Sequence, residues 1–170
     1  LRLIRVARAD GTLSHDLLPG EKGPQDACGV FGVWAPGEEV AKLTYFGLYA
    51  LQHRGQEAAG IAVSEGGPIV VYKDLGLVSQ VFDEATLASL RGHLAIGHCR
   101  YSTTGKASWE NAQPTFRSNR SGDGVALGHN GNLVNTVDLA LVHARGESVE
   151  DLMGSTTDSD LVTAMLAARI

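Results

Sequence analysis

Only two cysteines, Cys28 and Cys99, occur in the 170 residues, too few for a disulfide framework and not spaced as a Cys-x-x-Cys metal site. No apolar run approaches the roughly 20 residues that a membrane helix needs, so no membrane partner is expected. Basic residues are also scarce, 14 Lys and Arg against 19 Asp and Glu, for a net charge of −5. With a pI near 5.6, the chain has no electrostatic grip on nucleic acid or anionic lipid. Arg2, Arg5 and Arg8 break up the apolar residues at the start, which excludes a signal-peptide core. Asp10, Asp16 and Glu21 then argue against a transit peptide. The expected location is the cytoplasm.

What remains is the composition of a globular, turn-rich protein, 44% apolar with 21 glycines. A chain of this length makes one domain and buries about 70% of its unfolded surface. It begins at Leu1 rather than Met and stops at Ile170 inside a helical pattern, so the expectation is a fragment of a longer protein.

Residues 1–27 carry Gly11, Pro19, Gly20, Gly23 and Pro24 among charges with no sustained period, and read as a leader. Residues 29–34 form a short apolar run closed by Pro36-Gly37, a buried strand. Val40, Leu43, Phe46, Leu48 and Leu51 fall near helical spacing and predict a helix running toward Arg54. The runs 59–64 and 68–73 flank Glu65-Gly66-Gly67 and predict a hairpin. Asp83 is placed to cap a short helix containing Leu87 and Leu90. Residues 94–99 read as a strand that delivers Arg100 at its end. The stretch 101–123, rich in Ser, Thr, Gly and Asn, reads as a long functional loop. Another short strand, 125–127, follows, then helices over 136–145 and 159–170. Antiparallel-looking strand pairs with helices between them predict an α+β layered domain.

Cys28 is the strongest chemical candidate. It sits between Ala27 and Gly29, where the first apolar run begins, sterically open to a substrate. A free thiol with a pKa of about 8.5 needs a nearby base. One choice is a histidine among His53, His93, His98 and His129. The other is the cysteine's own α-amine, available only if the chain is cut between Ala27 and Cys28. The bland alternative is a small buried cysteine at a strand edge. His98, Cys99 and His129 make no metal site, because adjacent strand residues point to opposite faces. Cys99 reads as core, and Trp34 and Trp109 as packing residues.

Four ordered motifs carry a family resemblance. Asp26-Ala27-Cys28-Gly29-Val30-Phe31-Gly32 resembles the mature start of class II glutamine amidotransferases, in which an N-terminal cysteine attacks the glutamine amide. Leu51-Gln52-His53-Arg54-Gly55-Gln56-Glu57-Ala58-Ala59-Gly60-Ile61 is similar to the branch that makes phosphoribosylamine. Gly97-His98-Cys99-Arg100-Tyr101-Ser102-Thr103-Thr104-Gly105 and Gly128-His129-Asn130-Gly131-Asn132-Leu133 complete the set.

The resemblance implies the four-layer αββα sandwich of N-terminal nucleophile hydrolases, truncated at its C-terminus. Residues 1–27 would be a cleaved leader and 28–170 an incomplete glutaminase domain. Cys28 would be the nucleophile, and the Asn130 side chain and Gly131 backbone N–H the oxyanion donors. Arg100 would grip the glutamine carboxylate, Asp158 its ammonium, and Thr103 would add a hydroxyl contact. Arg54 would couple glutamine binding to a second site. Each has a plainer reading: Arg100 as a surface ion pair, Asp158 as a helix cap, Asn130-Gly131 as a hairpin turn. Expected partners are glutamine, phosphoribosyl pyrophosphate at a domain beyond this chain, and further copies of the protein in a homo-oligomer. Mg²⁺ and a 4Fe-4S cluster would belong to that missing part, with no cofactor visible in this segment. Rival readings are a class II glutaminase serving a hexose phosphate or an amino-acid carboxylate, a cysteine peptidase or acylase, and a non-catalytic unprocessed fragment.

Overall fold

In the computed structural model, the described residues are 28–101, 108–119, 121–144 and 154–170. The expected leader 1–27 and Thr103 lie outside them. Four strands, β1 (Gly29–Trp34), β2 (Ala58–Ser64), β3 (Val70–Leu75) and β4 (Leu94–Arg100), form one antiparallel sheet in the order β1-β4-β2-β3. The expected hairpin is β2–β3, paired from Ala58↔Leu75 to Val63↔Val70. Because β4 is central, its residues meet β1 on one side and β2 on the other. His98 thus lies opposite both Val30 and Gly60.

Helix α1 (Val40–Ala50) lies across this sheet, burying Val40, Ala41, Thr44 and Leu48. Side chains alternate across a strand, so Ala59, Ile61 and Val63 of β2 and Ala95 and Cys99 of β4 face α1. They join Val78, Val81, Phe82, Leu87 and Leu90 in one buried cluster. The last two groups come from α2 (Val78–Val81) and from α3 (Glu84–Ser89) with its C-cap Leu90. Asp83 caps α3 as its position predicts, accepting the Thr86 N–H at 2.7 Å.

Helix α1 does not run on to Arg54. It ends at Ala50 and tightens into a 3-10 turn, Gln52–Arg54. Gln52 explains the change: its side chain donates to the Gly55 carbonyl and accepts the Val78 N–H at 2.5 Å. That clip stops the helix and ties the turn to α2.

A second, two-stranded sheet pairs β5 (Thr115–Ser118) with β6 (Gly124–Leu127). β5 falls inside the expected loop 101–123. Four residues, only one of them apolar, are too short a run to show a period of two. The turn between them is organised by Asn119, whose Oδ1 accepts from Ser121 and Asp123. Asn130-Gly131, in contrast, joins no two strands. It follows β6 and leads to α4 (Thr136–Ala144), so the hairpin alternative is corrected. Helix α5 (Asp158–Ala167) packs on β5 and β6. Its N-cap is Thr157, which accepts the Asp160 N–H at 3.4 Å. Asp158 is therefore the first helical residue and not the cap.

The face of the large sheet opposite α1 carries small residues on β2, namely Ala58, Gly60 and Ala62. A side chain at Gly60 would strike the Gln113 carbonyl, so glycine there lets the approach to β5 lie directly on the sheet. Trp34, read as a packing residue, is instead 70% exposed at the end of β1. Trp109 is also exposed, though its indole N–H donates to the Lys73 carbonyl at 2.9 Å.

Candidate active site

Cys28 stands immediately before β1 in a left-handed backbone conformation, φ 59°, which residues with a side chain adopt seldom. Its thiol meets the backbone at the far end of β4. The Tyr101 N–H donates to Sγ at 3.4 Å, and the thiol donates to the Tyr101 carbonyl at 3.5 Å. The antiparallel pairing Gly29↔Cys99 produces this meeting, since it brings the start of β1 to the end of β4.

Arg54 secures the same residue twice. Its carbonyl accepts the Cys28 N–H at 2.9 Å, and its Nε donates to the Cys28 carbonyl at 2.9 Å. Gly55 makes room for this. A side chain there would meet the Cys99 carbonyl at 2.5 Å and the Arg100 nitrogen at 2.8 Å. The 3-10 turn can thus dock against the end of β4. The Asn130 side-chain amide also donates to the Cys28 carbonyl, at 3.5 Å.

Arg100 is 6% exposed, so the surface ion-pair reading is corrected. Its Nη1 is buried with no hydrogen-bond partner among the described residues. A buried guanidinium nitrogen in that state carries a large desolvation cost and is suited to an incoming carboxylate. Asp158 opens α5 and bonds to the loop after β6. Its Oδ2 accepts the Leu133 N–H at 2.8 Å and its Oδ1 accepts from the Ser159 hydroxyl at 3.4 Å. Asp158 is thereby tied to the loop that carries Asn130 and Gly131.

Behind that loop is a polar network that the sequence motifs do not mark. Gln113 Oε1 accepts the His129 N–H at 2.7 Å, while Gln113 Nε2 donates to Ser159 Oγ at 3.1 Å. His129 Nδ1 lies 3.2 Å from the same hydroxyl. Gln113 carries no motif signal; only its place beside Gly60 gives it a role.

Among the described residues no histidine hydrogen-bonds to the Cys28 thiol, whose partners are the Tyr101 N–H and carbonyl. His53 is exposed on the 3-10 turn. His93 precedes β4 at its opposite end, about 20 Å away at strand rise. His98 is buried and its pKa falls to about 4, through loss of solvent first and through Arg100 and His129 nearby. Burial likewise raises the Cys99 thiol to about 11, in keeping with its place in the core.

Neither of two surface cavities, about 310 Å³ around Lys73 and Trp109 and about 360 Å³ at the start of α1, is lined by Cys28 or Arg100. The first is walled by groups already paired, including Arg117 with Asp160 at 2.8 Å and Lys73 with the Ala112 carbonyl at 2.6 Å. Side-chain chemistry, not cavity size, locates the site.

No protein-family model matches the chain. Among curated proteins, it is 68% identical over 147 residues to an amidophosphoribosyltransferase of Mycobacterium leprae, covering 85% of this chain and 26% of the relative. Among solved structures, it is similar to the glutamine phosphoribosylpyrophosphate amidotransferase of Bacillus subtilis complexed with ADP and GMP, with a TM-score of 0.71 and 37% identity. It is also similar to a structure described as the allosteric regulatory enzyme of purine biosynthesis, with a TM-score of 0.73 and 39% identity. Each alignment covers 83% of this chain and 29% of the solved one. The chain thus spans between a quarter and a third of the length of the curated relatives it matches. Over 85% of its own length, the chain is thus similar to an amidophosphoribosyltransferase.

Proposed function

We propose that this chain is the glutamine-hydrolysing part of an amidophosphoribosyltransferase (EC 2.4.2.14). It supplies ammonia that displaces pyrophosphate from phosphoribosyl pyrophosphate, forming 5-phosphoribosylamine for purine synthesis in the cytoplasm. The observation that carries this reading is the buried, unpartnered Nη1 of Arg100, one residue from the backbone that cradles Cys28 Sγ.

In this reading residues 1–27 are a leader and 28–170 the glutaminase part, with the phosphoribosyltransferase part outside this chain. The architecture is a four-layer αββα sandwich of the N-terminal nucleophile hydrolase type. Its layers are α1, the large sheet, β5–β6 and α5. The packing of α1 and α5 on their sheets and the approach of Gln113 to Gly60 support it.

Glutamine enters with its carboxylate on Arg100 and its ammonium on Asp158. The Cys28 thiol, deprotonated by its own α-amine once the leader is gone, attacks the side-chain amide carbon. The Arg54 carbonyl, already 2.9 Å from that nitrogen, orients the amine toward the sulfur. Charge on the tetrahedral oxygen is met by Asn130 Nδ2 and the Gly131 N–H. The intermediate collapses with departure of ammonia, leaving a glutamyl thioester on Cys28, and water attacks that thioester to release glutamate. Thr103 adds a hydroxyl contact to the substrate, and Arg54 links glutamine occupancy to the second site.

Mg²⁺ and a 4Fe-4S cluster belong to the phosphoribosyltransferase part in this reading. The described residues offer neither a fit, since no cluster of three or more His, Cys, Asp or Glu side chains suited to a metal occurs among them. No step above runs through either group. The assembly is a homo-oligomer, tested by sedimentation of the full-length polypeptide.

The deciding experiment combines intact mass with glutaminase assay of the full-length natural polypeptide. A species beginning at Cys28 that releases glutamate, with Arg100→Ala raising KM for glutamine about 10- to 100-fold, supports the reading. Material that retains residues 1–27 and still hydrolyses glutamine would rule out the α-amine as base.

A further inference from the structure

His98 takes no part in the mechanism above, yet it occupies the centre of the central strand and is fully buried. An apolar side chain of similar size would fill the same place without burying two ring nitrogens. Neither nitrogen completes a hydrogen bond among the described residues. Unpaired buried polar atoms are rare in folded proteins and destabilise the fold. The polarity of this ring therefore needs an explanation that packing does not give.

Its surroundings supply one. Alternation on β4 places Cys99 toward α1 and puts His98 and Arg100 on the other face. There the loop after β6 comes down on the sheet. The space beside Gly128 is bounded by Val30 Cγ1 at 3.6 Å and the Gly97 carbonyl at 3.9 Å. Val30 is the β1 partner of His98, and Gly97 is its neighbour on β4. The residues that land over His98 are thus Gly128 and His129, immediately before Asn130. The His129 backbone approaches the His98 ring, short of a completed hydrogen bond in this structure. His129 is in turn fixed from its other side by Gln113 and Ser159. The oxyanion loop has two supports: a hydrogen-bonded one above and the His98 ring below.

We propose that His98 is a positioning residue, whose ring supports the Gly128–His129 backbone and thereby sets the Asn130 and Gly131 donors at the height of Cys28. The inference rests on the glutaminase reading. The ring stays neutral because it is buried beside Arg100, which leaves Arg100 as the cation for substrate. His98 acts on the transition state through the loop and touches no substrate atom.

The test uses the full-length polypeptide with His98→Leu, His98→Asn and His98→Gln, assayed for glutamate release and separately for phosphoribosylamine formation driven by added ammonia. Leucine keeps the volume and removes the hydrogen-bonding groups; the two amides restore a donor and an acceptor. The expected result for His98→Leu is a kcat for glutamine lowered about 10- to 100-fold with KM within about twofold. At least one amide variant recovers several-fold, and ammonia-driven synthesis is unchanged. In an Asn130→Ala background the His98→Leu loss should shrink, because both act through the same donors. Should His98→Leu fail to fold, the two amide variants carry the same kcat-against-KM comparison. A kcat within twofold of wild type in every folded variant, or a rise in KM at constant kcat, overturns the proposal. Wild type that releases no glutamate overturns the glutaminase reading instead.

Discussion

The two faces of β2 and β4 share one backbone and one hydrogen-bond ladder, but differ in what they leave unused. Toward α1, Ala59, Ile61, Val63, Ala95 and Cys99 meet Leu48 and Val40 in a closed apolar cluster. On the other face, Ala58, Gly60 and Ala62 are too small to fill the space, and β4 presents His98 and Arg100. There Gln113, Ser159, His129 and Asp158 bond to one another, while Arg100 Nη1 and both His98 nitrogens have no partner among the described residues. On the dry face the Thr44 hydroxyl and the Cys99 thiol are turned to the Val40 and Leu51 carbonyls; the polar face keeps a reserve of unpaired groups among the described residues. Stability and chemistry are thus assigned to alternate residues of the same strands, which holds the reactive groups on the most rigid part of the fold.

That division can be broken from either side. The largest effect should come from Cys28→Ala, which removes the nucleophile at the edge of the polar face. Glutamate release should fall by about three orders of magnitude or more while the thermal midpoint barely moves. Next, Ile61→Ala on the dry face should lower unfolding free energy by about 2–5 kcal/mol, read by denaturant titration, with KM for glutamine unchanged within twofold. A large KM change from Ile61→Ala would show that the two faces are not separable.

A third test uses acid. His98 has a folded pKa of about 4 against an ordinary value of 6.5, so the folded state disfavours its protonation. Between pH 6.5 and 4 the unfolded chain binds a proton there that the fold does not. The neutral ring's contribution is therefore complete above pH 6.5 and is lost as pH falls toward 4, amounting to about 3 kcal/mol over that window. Arg100 and His129 are the charged and titratable groups facing it. His98→Leu should flatten this part of the thermal-midpoint-against-pH curve, and an unchanged slope would refute the assignment. The smallest effect concerns Cys99, whose thiol is buried and raised to about 11. At pH 8 an alkylating reagent should label Cys28 at least about 100-fold faster than Cys99, and Cys99→Ala should keep activity within twofold.

The elements with a strong local signal were legible in the sequence: β1, the β2–β3 hairpin, the Asp83 cap, β4 and both late helices. Each rests on a contiguous pattern or a turn residue. β5 was not legible, because four residues with a single apolar side chain inside a Ser- and Asn-rich stretch carry no period. The end of α1 was misjudged for a different reason. Gln52 redirects the chain through bonds to Gly55 and Val78, and a partner 26 residues away has no local trace. The candidate site was named as residue types: Cys28, Arg54, Arg100 and Asn130 stand in the four motifs, while Asp158 lies outside them and came only from the resemblance. Its geometry was not: the contact of Cys28 with Tyr101 follows from the β1–β4 register, and the Gln113–Ser159–His129 support from tertiary packing.

The double grip of Arg54 on Cys28 bears on timing. The Cys28 nitrogen already lies against the Arg54 carbonyl while it is still part of a peptide bond. Under the proposed reading, cutting that bond moves no atom of the pocket and changes only the valence of one nitrogen. A group that could only give a hydrogen becomes one that can also receive it. Such a protein would be cast first and armed afterwards, silent during synthesis and switched on in one irreversible step without any need to refold.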